Sequence, residues 1–80
     1  MLQFNINLSS IEDVKNFVTA ASMVDCDIDV LSGRYLVDAK SIMGLFSLDL
    51  NKPVTVQVHG DAVAAESFRS AIAHLIVAEN

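Results

Sequence analysis

Two histidines, His59 and His74, are the side chains of this chain best suited to moving protons near neutral pH. His59 closes the alternating run Val54-Thr55-Val56-Gln57-Val58-His59, and His74 falls on the polar side of the last helical pattern, in helical spacing with Ser67 and Ser70. Both read as surface residues. A Ser/His/Asp set can be assembled from Ser10, His59 and Asp13, yet Ser9, Ser10, Glu12 and Asp13 already have a complete role at a helix start, where acids also meet the positive end of the dipole. No hydrolase is read from them. Asp25, Asp27 and Asp29 resemble the opening of a calcium loop, but such a loop needs Gly at its sixth position and Glu at its twelfth, where this chain has Val30 and Leu36. Cys26 shares the inward parity of Ile28 and Val30 and reads as packing, not as a nucleophile. No spaced Cys/His set for zinc occurs, so neither a metal nor a cofactor is expected.

The remaining candidate is the segment Lys40-Ser41-Ile42-Met43-Gly44-Leu45-Phe46-Ser47-Leu48. Ser41 is placed to cap a two-turn helix, and apolar residues at 42, 43, 45, 46 and 48 cover nearly its whole circumference. A short peripheral helix can bury only one side. The pattern predicts an exposed apolar group, Ile42, Met43 and Phe46, suited to docking a protein partner; the competing reading is a helix buried on all sides.

The elements that carry these residues follow from periodicity. Leu2, Phe4, Ile6 and Leu8 alternate with Gln3, Asn5 and Asn7, the pattern of a strand with one buried face. Ser9 with Glu12 forms a capping box for a helix from about Ser10 to Met23, whose apolar stripe is Ile11, Val14, Phe17, Val18 and Ala21. Asp25 to Val30 returns to period two, and Ser32-Gly33 supplies a two-residue hairpin that sets Val30 opposite Tyr35 and Ile28 opposite Val37. After the Ser41 helix and an Asn51-Lys52-Pro53 loop comes the strand Val54 to His59; Gly60-Asp61 then starts a last helix with the stripe Ala65, Phe68, Ile72, Leu75 and Ile76. The order βαββαβα, with every strand apolar on one face, predicts an α+β open-faced sandwich: a four-stranded antiparallel sheet, three helices on one side and water on the other.

Composition agrees. Eighty residues, 52% of them hydrophobic, form one domain, residues 1–80, and a chain this short buries roughly 60% of its unfolded surface. A single Cys excludes an internal disulfide, so the apolar core must suffice. Ten acids against five bases give a net charge of −5, which repels phosphate backbones and anionic lipid, so neither nucleic acid nor membrane is an expected partner. With no apolar run near the roughly 18 residues of a membrane span and no signal-peptide pattern at Met1-Leu2-Gln3-Phe4-Asn5, the expected location is the cytoplasm.

At Lys40-Ser41-Ile42-Met43-Gly44 and Leu45-Phe46-Ser47-Leu48 the chain resembles the HPr family, the histidine-containing phosphocarrier proteins of the bacterial sugar phosphotransferase system. The resemblance extends through Val54-Thr55-Val56 and the Gly60 turn into the last helix, and back through Ala21-Ser22 and Asp27-Ile28. It implies the same βαββαβα fold. It also implies a histidine at the start of the first helix, in a Gly-Ile-His-Ala-Arg-Pro-like motif, which takes phosphate from enzyme I and passes it to enzyme IIA proteins. Here the residues are Ser9-Ser10-Ile11-Glu12-Asp13: counting back from Ser41 sets Ser10 at the histidine, Glu12 at the arginine and Asp13 at the proline, and no histidine precedes residue 59. A serine there cannot form the labile N-phosphate of a reversible relay, and Glu12 repels the phosphoryl oxygens an arginine attracts. Phosphohistidine transfer is not expected, and the chain does not read as an enzyme.

Ser41 matches the family's regulatory serine, which in low-GC Gram-positive bacteria is phosphorylated by HPr kinase/phosphorylase to make a corepressor for the catabolite control protein. Catabolite-repression HPr lacks the histidine and keeps this serine. The resemblance therefore implies a regulatory protein acting through binding, with Ser41 as switch, Ile42, Met43 and Phe46 as contacts, and the HPr kinase or a catabolite-control transcription regulator as partner. Two alternatives stand beside it: an HPr-fold interaction or self-assembly module no longer connected to the phosphotransferase system, and an acceptor phosphorylated on Ser10 or another non-histidine group.

Overall fold

The computed structural model describes residues 2–77. Four segments form strands, β1 (Leu2–Ile6), β2 (Ile28–Ser32), β3 (Tyr35–Asp38) and β4 (Val54–Val58), with apolar alternation clearest in β1 and β4. They make one sheet in the order β1-β4-β2-β3, and every neighbouring pair is antiparallel. Register aligns the alternation across the sheet: Phe4 opposes Val56, Val56 opposes Val30, and Val30 opposes Val37. The apolar side chains of β1, β4 and β2 thus share one face, and Phe4, Ile6, Ile28, Val30, Val54, Val56 and Val58 are buried there.

Helices α1 (Ile11–Ser22), α2 (Ile42–Phe46) and α3 (Ala62–Ala71) cover that face, giving the expected open-faced sandwich. α1 contributes Val14, Phe17 and Ala21, and α3 contributes Ala65 and Phe68. The Phe68 ring meets Phe17 nearly edge-on, with centroids 5.6 Å apart and planes at 70°, and lies 6.4 Å from Phe4. Such pairs contribute about 0.5–1.5 kcal/mol beyond their buried area and lock α1, α3 and β1 to one another. The opposite face is a polar ladder: Thr55 Oγ1 donates to Asn5 Oδ1 and Gln57 Nε2 to Gln3 Oε1, both at 2.9 Å, while His59 Nε2 pairs with Asp29 Oδ2 at 2.9 Å.

Four expectations from the sequence are corrected. The first helix is capped by Ser10 and not by Ser9: Ser10 Oγ accepts the Asp13 N–H at 3.1 Å, and helix geometry ends at Ser22 with Met23 as the C-cap. The second strand starts at Ile28, so Asp25, Cys26 and Asp27 precede it; Ile28 opposes Val58, the last residue of β4, and a longer β2 would have no β4 residue to face. Cys26 is half-buried and packs against the core, as its parity predicts.

The hairpin turns on Gly33-Arg34, one residue later than expected, so Ser32 opposes Tyr35 and Val30 opposes Val37. Its single positive φ, 59°, falls on Gly33, the first central residue, where a side chain would be strained. Finally, α3 stops at Ala71. Residues Ala73–Leu75 form a 3₁₀ turn that carries Leu75 into the core, and Ile76 is half-buried beside Ile6 as an isolated antiparallel bridge. The stripe predicted for a continuous helix is buried, but by a helix followed by a return toward β1.

Among the described residues, no helix is long and apolar enough to cross a membrane.

Candidate functional site

The start of α1 is built from Ser9, Ser10 and Asp13. Ser10 takes extended backbone angles (φ −141°, ψ 164°), which lets its Oγ turn back onto the Asp13 N–H while its C=O accepts the Val14 N–H at 3.2 Å. Asp13 answers the cap: its Oδ2 accepts the Ser9 N–H at 3.1 Å and the Ser9 hydroxyl at 3.0 Å. The Ser9 hydroxyl is the main cause holding the Asp13 carboxyl below its ordinary pKa; partial burial opposes this, and the Ser9 N–H, the Ser10 side chain and the charge of nearby His74 add to it. His74 therefore lies on the exposed 3₁₀ turn near the α1 N-terminus, and not on the face of a continuous last helix. Glu12 is exposed.

Ser41 does for α2 what Ser10 does for α1. Its Oγ accepts the Gly44 N–H at 3.1 Å and its C=O the Leu45 N–H at 3.1 Å. A Cβ on Gly44 would lie 3.3 Å from the Val37 Cβ and 3.2 Å from Ser41 Oγ, so the glycine lets α2 sit close over β3 and its own cap. Lys40, beside Ser41, is tied down at both ends: its N–H donates to Asp38 Oδ1 at 2.9 Å and its Nζ to the Val24 C=O at 2.8 Å, just beyond the α1 C-terminus, where a cation is favoured.

α2 buries one side only. Leu45 is fully buried and Leu48 nearly so, Ile42 is half-buried against the core, and Met43 and Phe46 are 78% and 44% exposed. The reading of a helix buried on all sides does not hold. Phe46 faces a shallow groove of about 330 Å³ together with Leu8, Ser9, Ser10, Ile11, Leu48 and Asn51. Ser10 and Phe46, singled out on separate grounds, thus meet at one surface, while Ser41 and Met43 are not part of the groove lining.

Ile11 is the residue that periodicity misplaces. The apolar stripe of the first helix includes it, yet it is 64% exposed and lines the groove with Phe46. Its position as the first residue of α1, one turn before Val14, carries it past the core. No Lys or Arg lines the groove, and its charged member is Asp49, with Asp13 and Glu12 at the adjoining helix start. Such a surface is mostly apolar and carries no positive side chain.

The family model for the HPr component of the phosphotransferase system and its phosphorylation site matches residues 13–78. The chain belongs to the HPr family. Solved HPr structures agree in fold: HPr-C-His from Thermoanaerobacter tengcongensis superposes with a TM-score of 0.76 at 29% identity over 95% of this chain and 91% of that one. The phosphocarrier protein HPr of Bacillus anthracis str. Ames gives 0.75 at 26% identity over 92% and 95%. Comparison with curated proteins finds no match. The open-faced sandwich is the HPr fold, and the family places this chain among the phosphocarrier-like proteins of the phosphotransferase system. The family match begins at Asp13, after Ser9-Ser10-Ile11-Glu12, and this HPr-family chain has its histidines only at positions 59 and 74.

Proposed function

We propose that this HPr-family chain is a cytoplasmic regulatory protein that acts by binding other proteins and does not carry phosphohistidine. The reading rests on the start of α1, where counting back from Ser41 sets Ser10 at the family's phosphorylated histidine: its hydroxyl is engaged as the helix cap, with Glu12 and Asp13 beside it. The same surface keeps an apolar character in Ile11 and Phe46, and exposed Met43 and half-buried Ile42 lie on α2 outside the groove. A protein can dock on such residues without any phosphate at the centre. Ser41 is exposed at the other end of α2 and is the proposed switch, with the HPr kinase/phosphorylase as the enzyme that modifies it and a catabolite-control transcription regulator as the partner that reads it. A phosphate there adds close to two negative charges beside a contact surface.

The experiment has two arms. Incubation with phosphoenolpyruvate and enzyme I is expected to leave no acid-labile phosphate, and stoichiometric acid-labile labelling would overturn the non-carrier reading. S10H alone is expected to stay poor at accepting phosphate, and S10H/E12R to exceed it; equal rates would remove the charge argument. Incubation with HPr kinase and ATP is expected to put phosphate on wild type and none on S41A. Failure of kinases from several hosts favours the second reading, an HPr-fold interaction module disconnected from the phosphotransferase system. The acidic reversal at Glu12 supports that reading as well, since it removes the charge that a phosphorelay partner would meet.

A further inference from the structure

The two margins of the sheet are unequal. Along β1 the chain returns after the 3₁₀ turn: Asn7 N–H donates to the Leu75 C=O and Val77 N–H to the Asn5 C=O, both at 2.9 Å, so that edge is covered. Along β3, no strand among the described residues pairs with the outer edge, where the Asp38 C=O is taken by the Ser41 N–H and the Leu36 peptide groups have no backbone partner. Tyr35 and Leu36 stand 71% and 58% exposed there.

The phase of the hairpin says which groups of β3 point outward. A two-residue loop makes its flanking residues, Ser32 and Tyr35, the hydrogen-bonded closing pair. The Ala39 N–H donating to the Ile28 C=O at 2.9 Å keeps the same phase at the other end. The peptide groups of Tyr35 and Val37 therefore face β2, and those of Leu36 and Asp38 face away from the sheet. By side-chain parity Leu36 and Asp38 lie on the open face, and Tyr35 and Val37 on the helix face; Arg34, exposed, is the second turn residue and immediately precedes the strand.

We propose that β3 is a homodimerisation edge, where two copies of this chain pair as antiparallel strands with Leu36 opposite Leu36. The register is selected by two constraints. Only outward-facing residues can exchange hydrogen bonds, so slips of a single residue are excluded. Slips of two set Leu36 against Arg34 or against Asp38. The centred register alone stacks Leu36 on its copy and puts Arg34 of each strand opposite Asp38 of the other, so the sequence Arg34-Tyr35-Leu36-Val37-Asp38 is complementary in charge to itself when reversed. The two-fold axis stands normal to the sheet, both helical layers stay on one side, and the two four-stranded sheets become a continuous one. The Asp38 C=O already accepts the Ser41 N–H at 3.0 Å, so the reciprocal bonds of Leu36 are the centre of the contact. An interface of this length is well below the roughly 1,200 Å² of stable complexes, and each copy carries −5, so the dimer is weak and forms at high protein concentration.

Sedimentation equilibrium on wild type taken to millimolar concentration is expected to show mass rising above the monomer, with slowed amide exchange at Leu36 under the same conditions. R34E sets a second carboxylate against Asp38 at both ends of the pairing and should raise the dissociation constant roughly tenfold or more. Because Asp38 Oδ1 also accepts the Lys40 N–H, D38N is the second variant: it can keep that bond while losing the charge. Mixed in equal amounts, R34E and D38N should associate with each other more tightly than either does with itself, since the mixed pair recovers one Arg34–Asp38 contact and has no repulsive one. A strictly monomeric wild type overturns the proposal. So does association that R34E leaves unchanged, or a Leu36 amide that exchanges in the associated form as fast as in the monomer.

Discussion

Substituting neighbouring positions of α2 separates a docking surface from a core. Leu45 is fully buried and anchors α2 to the core, whereas Met43, two residues earlier, is 78% exposed. L45A removes three buried carbons and leaves a cavity, at a cost of about 2–5 kcal/mol. At about 0.05–0.15 kcal/mol per residue the whole chain has about 4–12 kcal/mol to lose. For a domain of this size each kcal/mol shifts the melting temperature by roughly 4–8 °C, so L45A should melt about 8–40 °C below wild type. M43D puts a carboxylate into solvent and should stay within about 0.5 kcal/mol, a shift of a few degrees. F46D, at 44% exposure, should fall between the two. Thermal melts followed by circular dichroism, with urea titrations to check that the slope is unchanged, measure all three. If M43D and F46D fold yet no longer capture a protein partner that wild type captures, they belong to the contact surface. Parallel destabilisation of M43D and L45A would refute the one-sided burial of α2, and retained capture by folded M43D and F46D would remove both residues from the interface.

The helix cap gives a second prediction: S10A should lower stability by about 0.5–2 kcal/mol in urea denaturation, because the Asp13 N–H loses its acceptor, and S9A should cost less. The depressed Asp13 pKa gives a third. Its ionised form is favoured by folding, so its contribution is present above the unfolded carboxylate pKa and is lost as pH falls through that value toward the lower folded one; the melting-temperature gap between wild type and D13N should shrink over that acidic window, and a gap constant with pH refutes the linkage. A fourth concerns the hairpin: G33A meets no atom within 4 Å, so any loss in a thermal melt, expected at about 1 kcal/mol, comes from the positive φ alone.

Strand identity was legible because alternation in Leu2–Ile6 and Val54–Val58 needs no tertiary information. The hairpin register was not. A slip of two residues leaves every side chain on its original face, so the apolar pattern of Val30, Tyr35 and Val37 fits both pairings, and only the backbone angle of Gly33 decides. The α1 cap was degenerate in a similar way: Ser9 with Glu12 and Ser10 with Asp13 have the same spacing, and the structure uses the second. The end of α3 depends on Asn5 and Asn7, far away in sequence, which bind the returning chain. In the site, Ser41 as cap and the exposure of Met43 and Phe46 followed from a short helix with too much apolar surface. The meeting of Ile11 with Phe46 did not, because it requires α1 and α2 to be placed against each other.

The pairing of β1 also sets a timetable for the chain as it is made. Leu2 to Ile6 are synthesised before their strand partner, Val54 to Val58, which emerges about fifty residues later, and the segment Leu75 to Val77 that covers their other edge follows both. Until then Phe4 and Ile6 have neither a sheet nor Phe68 to pack on. Local pieces such as α1 and the Gly33 hairpin can form early, while closure of the core waits for the C-terminal third to leave the ribosome. A ribosome paused before β4 would therefore hold a chain with strand β1 uncommitted, open to chaperones or to the wrong neighbour.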